Sequence, residues 1–242
     1  MVGPLACAVA QPSAAPLTIT TEYSPPTSMQ VDGKIIGSAT EKVREAFARS
    51  GIAYTLELLP WKRAYTAAST RADTCVYSTT RTPERERLFK WVGPTDEGDW
   101  VLLGRAGRQY NLTRLEDARA LRIGTYYGDA RDEYLRTRGY LVDPAPNDMI
   151  NPNKLMLGRI DLWAAGLRRD SAVLELNGWG GKIVPVLTFN HVKLYLACNL
   201  AVPDATIDQL NAAFDAMSRD GTARRMERKY DNWVGRKQTG PQ

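Results

Sequence analysis

TTRTPERERLFKWVGP, Thr79–Pro94, crowds three arginines around one proline and then turns apolar and aromatic. Directly before it, ADTCVYS reads as a strand, and inside it FKWVGP reads as another. Thr82-Pro83-Glu84 has the form of a helix start: Thr as N-cap, Pro at the first helical position, Glu in the first turn. A strand that turns into a helix puts Thr79 and Thr80 at the carboxyl end of that strand. Open α/β sheets hold their ligands at such ends, where free N–H groups and hydroxyls are concentrated. Arg81 and Arg85, four apart, can share a face, and a guanidinium fork beside exposed N–H groups suits a carboxylate. From spacing alone, an exposed basic helix start is the default reading, ahead of an anion site. Arg87 and Lys90 are expected to face water.

Working outward, the same alternation continues on both sides. LTITTEY (Leu17–Tyr23) is a predicted strand, and SPPTSMQVDGKIIG is a loop punctuated by Pro25-Pro26 and Asp32-Gly33. SATEKVREAFARSG is a helix, with Val43, Ala46 and Phe47 at helical spacing and Gly51 as its stop. AYTLELLP is a strand, and WKRAYTAAS a short helix after Pro60. The pattern restarts at LRIGTYYG (Leu121–Gly128), a strand running into the helix DARDEYLRTRG. A short strand at Leu141-Val142 follows, then NPNKLMLGRIDLWAAG, a helix leading into the strand Ile160–Ala165, and then the strand KIVPVLTF. In ATIDQLNAAFDAMSRDG, Ile207, Leu210, Ala213, Phe214 and Met217 fall on one helical face. Strands alternating with helices predict α/β units with mostly parallel sheets, and two such units predict two lobes.

The chain has 242 residues, 43% apolar and 24% charged, the composition of an ordinary globular protein. The net charge of +5 favours anionic partners mildly, but Lys and Arg form no stripe, so no nucleic acid is expected. With one histidine, His191, and neither a C-x-x-C nor an H-E-x-x-H, no metal site is expected, and no cofactor motif is read. His191 is expected to be structural. Ala8-Val9-Ala10 has the small-x-small form of a signal-peptidase site, so residues 1–16 read as the tail of a secretory signal or as a disordered arm.

The order YSPP, IIGSATEKVREAF, LPWKRA, STTRTPERERLFKWVGP, LRIGTYYGDARDEYL, LGRIDLWAAG, KLYLACNLAVPDATIDQLNAAFDAM and SRDGTARRMERKY resembles bacterial extracellular solute-binding proteins of the polar-amino-acid type. Each motif is weak, but their joint order and spacing, from about Leu17 to Trp233, make the likeness specific. The resemblance implies the two-lobed periplasmic-binding-protein-like fold (type II), each lobe a mostly parallel sheet flanked by helices. Two hinge strands would join the lobes, with residues 17–97 and 192–242 in lobe 1 and 98–191 in lobe 2.

It further implies a periplasmic, monomeric receptor that clamps an anionic or zwitterionic small solute and hands it to the membrane permease of an ABC-type importer, with no enzymatic activity. Carried over by position, Arg85 would clamp a ligand carboxylate, with Arg81 as a second cation. Ser78 and Thr80 would offer hydroxyl and N–H donors, and Tyr23 would form an aromatic wall. Gly128, Asp129, Ala130 and Arg131 would form the donor turn of the second lobe. Trp61, in LPWKRA, is expected to line the cleft, and Trp163 either stacks on the ligand or belongs to the core.

The departures from the family pattern bear on the ligand. The acid that amino-acid binders place five residues beyond their G-R-I-D motif falls here on Gly166, which puts a standard amino acid in doubt unless Glu22 or Asp129 pairs its ammonium. An organic acid or dicarboxylate then fits as well. Two other readings stay open: a cyclohexadienyl-dehydratase-like enzyme on the same fold, using Glu22 or Asp129, and a solute sensor. The strands bearing Cys75 and Cys198 would lie side by side in this fold. Export would permit a bridge, although buried thiols are the commoner outcome for such neighbours.

Overall fold

Two strands of 16 residues each organise the molecule: β6 (Lys90–Arg105) and β10 (Ile183–Cys198), paired antiparallel from Cys198↔Lys90 to Ile183↔Arg105. The computed structural model describes residues 15–167, 173–176, 178–231 and 233. Residues 1–14, which carry the expected signal tail and Cys7, lie outside the described residues.

In chain order the remaining elements are β1 (Leu17–Thr21), β2 (Met29–Val31), β3 (Lys34–Ile36), α1 (Ser38–Ser50), β4 (Tyr54–Leu58), α2 (Trp61–Thr70) and β5 (Thr74–Thr80). After β6 come β7 (Ile123–Tyr126), α3 (Ala130–Thr137), β8 (Val142–Ala145), α4 (Asn151–Met156), β9 (Leu162–Leu167) and α5 (Val173–Leu176). α6 (Asp204–Arg219) and α7 (Thr222–Asp231) follow β10.

Eight strands form one sheet in the order β4-β1-β5-β10-β6-β9-β7-β8, and β2 pairs with β3 in a separate hairpin. Within each half the short strands are parallel, as the alternating pattern predicts: β4, β1 and β5 on one side, β9, β7 and β8 on the other. The halves meet through the β6–β10 ribbon. β5 pairs with β10 only from Leu194 onward, and β9 pairs with β6 only from Asp99 onward. Between those points, around Asp96–Gly98 and Val192–Lys193, the ribbon stands as two strands alone. This is the geometry of a hinge, because two strands resist bending far less than a covered sheet.

Each half has its own core. In the first, Val43 and Phe47 of α1 pack with Ile207, Leu210, Phe214 and Met217 of α6 around Ile19, Tyr77 and Leu196. These are the residues the helical periodicity picks out, and each fully buried large side chain contributes about 1.5–3 kcal/mol. Gly51 ends α1 at φ 66, a conformation that glycine adopts without steric cost. In the second half, apolar clusters cover both faces of the sheet, one around Leu103, Leu155 and Ile160, the other around Leu102, Ile123 and Leu135. Sheets of parallel strands require that double cover.

Three expectations change. FKWVGP is only the start of β6, which runs on through the acidic stretch to Arg105. Thr82 starts no α-helix: a turn leads to a single 3-10 turn at Glu86–Leu88, and Arg81 and Arg85 point apart. Cys75 and Cys198, opposite each other in the β5–β10 pairing, form a disulfide rather than two buried thiols. Strand register alone brings the sulfur atoms together, with Cα atoms 4.0 Å apart.

Candidate functional site

Where the halves face each other across the ribbon, they enclose a cavity of about 160 Å³. The first half supplies Glu22, Tyr23, Ser24, Thr27, Ser78 and Thr80; the second supplies Tyr126, Asp129, Arg131, Asp148, Trp163 and Gly166. Asp96, Glu97, Asp99 and Trp100 of β6, with Val192 and Leu194 of β10, form the hinge wall. Most of these residues sit at carboxyl ends of parallel strands or just beyond, as the fold dictates. Ser78 is held at φ 61, a strained conformation for a residue with a side chain.

The cavity is acidic. Glu22, Asp96, Glu97, Asp99, Asp129 and Asp148 line it, against one lining cation among the described residues, Arg131. Asp129 caps α3: its Oδ1 accepts from the Arg131 backbone N–H at 2.9 Å and from Arg131 Nε at 2.6 Å. Arg131 Nη1 donates to the Ala164 carbonyl at 3.2 Å, and Nη2 donates to Asp148 Oδ2 at 3.2 Å. Trp163 Nε1 and Asn151 Nδ2 donate to Asp148 Oδ1 at 2.7 and 3.1 Å. Behind the hinge wall, the buried Lys42 lies 3.5 Å from Asp96, and His191 Nδ1 lies 2.7 Å from Asp99.

Glu22 reaches across the cleft, where its Oε1 accepts from the Tyr126 hydroxyl at 2.7 Å. Burial pushes its carboxyl up to about 8, against the lowering effect of that hydrogen bond, and the negative charges of Asp129 and Asp148 push the same way. Burial also raises Asp148, with Arg131 opposing. Glu22 therefore holds a proton at neutral pH, and the wall contains both a neutral acid and a compact carboxylate–guanidinium cluster.

The sequence-derived residues divide. Tyr23, Ser78, Thr80, Asp129, Arg131 and Trp163 line the cavity. Tyr23 is the exposed wall, at 41%, while Trp163 is buried and tied to Asp148. Arg85, Trp61, Gly128 and Ala130 are close by but do not line it. Arg85 is buried at 3% exposure and stacks over Tyr65 at 4.8 Å. Its Nη2 donates to the Gly128 carbonyl of the opposite half at 3.0 Å, and Nε lies 3.5 Å from Glu133. Trp61 Nε1 donates to the same carbonyl at 2.8 Å.

Arg81 faces away from the cavity: it forks onto Glu86 at 2.7 and 2.5 Å and lies over the rings of Trp91 and Tyr195. An aromatic shelf and a nearby carboxylate hold it there. Nothing in the sequence singles out Asp148, Asp96 or Asp99 as wall residues. Asp148 follows a four-residue strand in PAPNDMI with no motif around it, and its only signal is its place beyond a strand's carboxyl end.

The fold has solved counterparts. A histidine kinase sensor domain with similarity to periplasmic binding proteins aligns with TM-score 0.82 at 16% identity, covering 91% of this chain and 97% of that one. An ancestral arginine-binding protein bound to arginine aligns with TM-score 0.78 at 19% identity, covering 90% and 99%. The substrate-binding protein of an amino acid ABC transporter aligns with TM-score 0.75 at 14% identity, covering 89% and 99%. At these identities the likeness speaks for the fold alone. No curated protein matches the chain in sequence. The family model of bacterial extracellular solute-binding proteins, family 3, matches residues 17–232, from the first strand to the end of the last helix, and so takes in both walls of the cavity and the hinge between them. This chain belongs to that family.

Proposed function

We propose that the chain is a periplasmic receptor that captures one small polar solute between its lobes and delivers it to the permease of an ABC-type importer. The observation that carries this reading is the cavity, walled by both halves and closed at the back by a two-strand hinge. Closure around a solute would desolvate its polar groups and strengthen their contacts with the wall. The Cys75–Cys198 disulfide fits an oxidising compartment outside the cytoplasm. Lobe borders near residues 97 and 192 are supported by the loss of the ribbon's third strand in that region. An importer-binding protein and a kinase sensor domain both share this fold, and a permease and an ATPase encoded beside this gene would favour the importer.

The test is a thermal-shift panel of amino acids, amines, dicarboxylates and hydroxy acids, run on the native chain and on Gly166→Trp. Gly166 lines the cavity, and a side chain built there meets Arg131 Nη1 at 3.5 Å, so an indole fills the space. A solute at a hundred times its Kd adds about 2.7 kcal/mol of stability. That gain should vanish in Gly166→Trp; gains that persist in the variant would place binding elsewhere.

One observation favours a second reading, the dehydratase-like enzyme. A carboxyl raised to about 8 inside a cleft is poised to donate a proton. Loss of water from a cyclic hydroxy acid in the presence of the chain, absent in Glu22→Gln, would support it.

A further inference from the structure

We propose that the solute is a small organic cation lacking a carboxylate, an amine, amidine or guanidine, held against Glu22 and the aromatic wall. This rests on the reading above that the cavity is the solute site. The observation behind it is that, among the described residues, the one cation on the cavity wall, Arg131, is already paired with carboxylates, and the guanidinium of Arg85, although two of its nitrogens lack hydrogen-bond partners, lies off that wall.

Arg85, the guanidinium that the family resemblance assigns to a carboxylate, lies off the cavity wall and donates to the Gly128 carbonyl of the opposite half. Arg81 is held outward by Glu86. Arg131 is on the wall, but all three of its nitrogens already have acceptors, two of them carboxylates. Arg131, Asp129 and Asp148 together carry a net charge of −1 when both acids are ionised. A ligand carboxylate entering here meets like charge from that cluster and from Glu97 and Asp99 on the hinge wall, while the protonated Glu22 offers it no positive partner. Like charges in a poorly hydrated site repel strongly.

A cation meets the reverse. Tyr23, Trp100, Tyr126 and Trp163 present aromatic rings, which attract cations across their faces. Glu22 offers an acceptor that reaches in from the first half. The groups facing Glu22 are Tyr126, Asp129, Asp148 and Arg131. Tyr126 and Arg131 favour the ionised form of Glu22, but burial and the charges of Asp129 and Asp148 outweigh them, so an incoming positive charge would tip Glu22 to the carboxylate and release its proton.

Decarboxylated pairs test this directly, because the members of each pair share both cationic groups and differ only in the carboxylate. Agmatine is titrated against arginine, and cadaverine against lysine, by isothermal titration calorimetry. The expected result is that at least one amine binds ten-fold or more tightly than its amino acid. Glu22→Gln should weaken that amine by ten-fold or more. Titration in two buffers of different ionisation enthalpy should show release of about one proton near neutral pH.

Equal or tighter binding of the amino acids overturns the proposal, and so does failure of both members of both pairs. In that event, a solute from the panel whose stabilisation is lost in Gly166→Trp would still uphold the cavity as the binding site. Tight binding of a dicarboxylate lost in the same variant would replace the cation with an anion.

Discussion

Arg85 and Arg131 are buried to nearly the same depth beside the same cleft, yet one holds the lobes and the other shapes the wall. Arg85 sits in the first half among Tyr65, Glu133 and the Gly128 carbonyl; its best partner is a neutral dipole across the gap. Arg131 sits at the start of α3 between two carboxylates of its own half. A guanidinium's task is set by its partners rather than by its motif. Asp129 and Asp148 convert Arg131 into part of a net-negative wall, while Gly128 uses Arg85 to bring the lobes together.

The largest effect that sharpens this contrast is expected at Arg131. Arg131→Met keeps most of the volume but leaves Asp129 and Asp148 facing each other in a buried site. Breaking such a cluster costs about 3–5 kcal/mol, readable as a lower urea midpoint. Adding Asp129→Asn and Asp148→Asn to Arg131→Met should recover most of the loss. If Arg131→Met alone unfolds at the native midpoint, the cluster is not held together by that charge.

Arg85→Ala should cost less, about 1.5–3 kcal/mol for one hydrogen bond to a charged donor, and it should loosen the lobes. Small-angle scattering would then report a larger radius of gyration for the variant than for the native chain without solute. Abolished binding of a cavity solute with an unchanged radius would instead put Arg85 on the solute itself and erase the contrast.

A smaller effect concerns pH. Between pH 4.5, the ordinary value, and about 8, the folded chain keeps a proton on Glu22 that the unfolded chain has released. Folding is therefore progressively disfavoured as pH rises through that window and levels off above it. The native melting temperature should fall over that range more steeply than that of Glu22→Gln, which carries no titrating group there. Parallel curves would mean that Glu22 is already ionised. Smallest of all is Arg81→Ala, an exposed pair that should leave both melting and solute binding unchanged within error.

Much of this architecture is legible in the sequence because it is local. The apolar face of α6 follows from 3.6-residue periodicity, the end of α1 from Gly51, and the α3 start from Asp129, whose side chain caps it. The sequence shows the hinge strands only in pieces. Gly93-Pro94 and the acidic run Asp96–Asp99 look like strand breakers, and only pairing with β10 turns them into one ladder. The cleft was legible by position but not by partner. Thr80 and Asp129 sit where strand ends must bring them, whereas the Gly128 carbonyl that captures Arg85 lies 43 residues away on the other lobe. No spacing rule encodes a contact that exists only when two bodies meet. Asp148 shows the same limit within one lobe, since a lone acid in a turn gains meaning from the guanidinium folded against it.

The sulfur bridge between the β5 and β10 strands spans 123 residues of chain. Every peptide bond of the second lobe lies inside that span, so a protease that nicks the lobe anywhere makes two fragments that stay fastened together. On a gel without reductant a nicked molecule would migrate as one band near full length, and thiol would split it into two. The molecule can thus be severed in its outer jaw and keep its two halves of the inner one in covalent register.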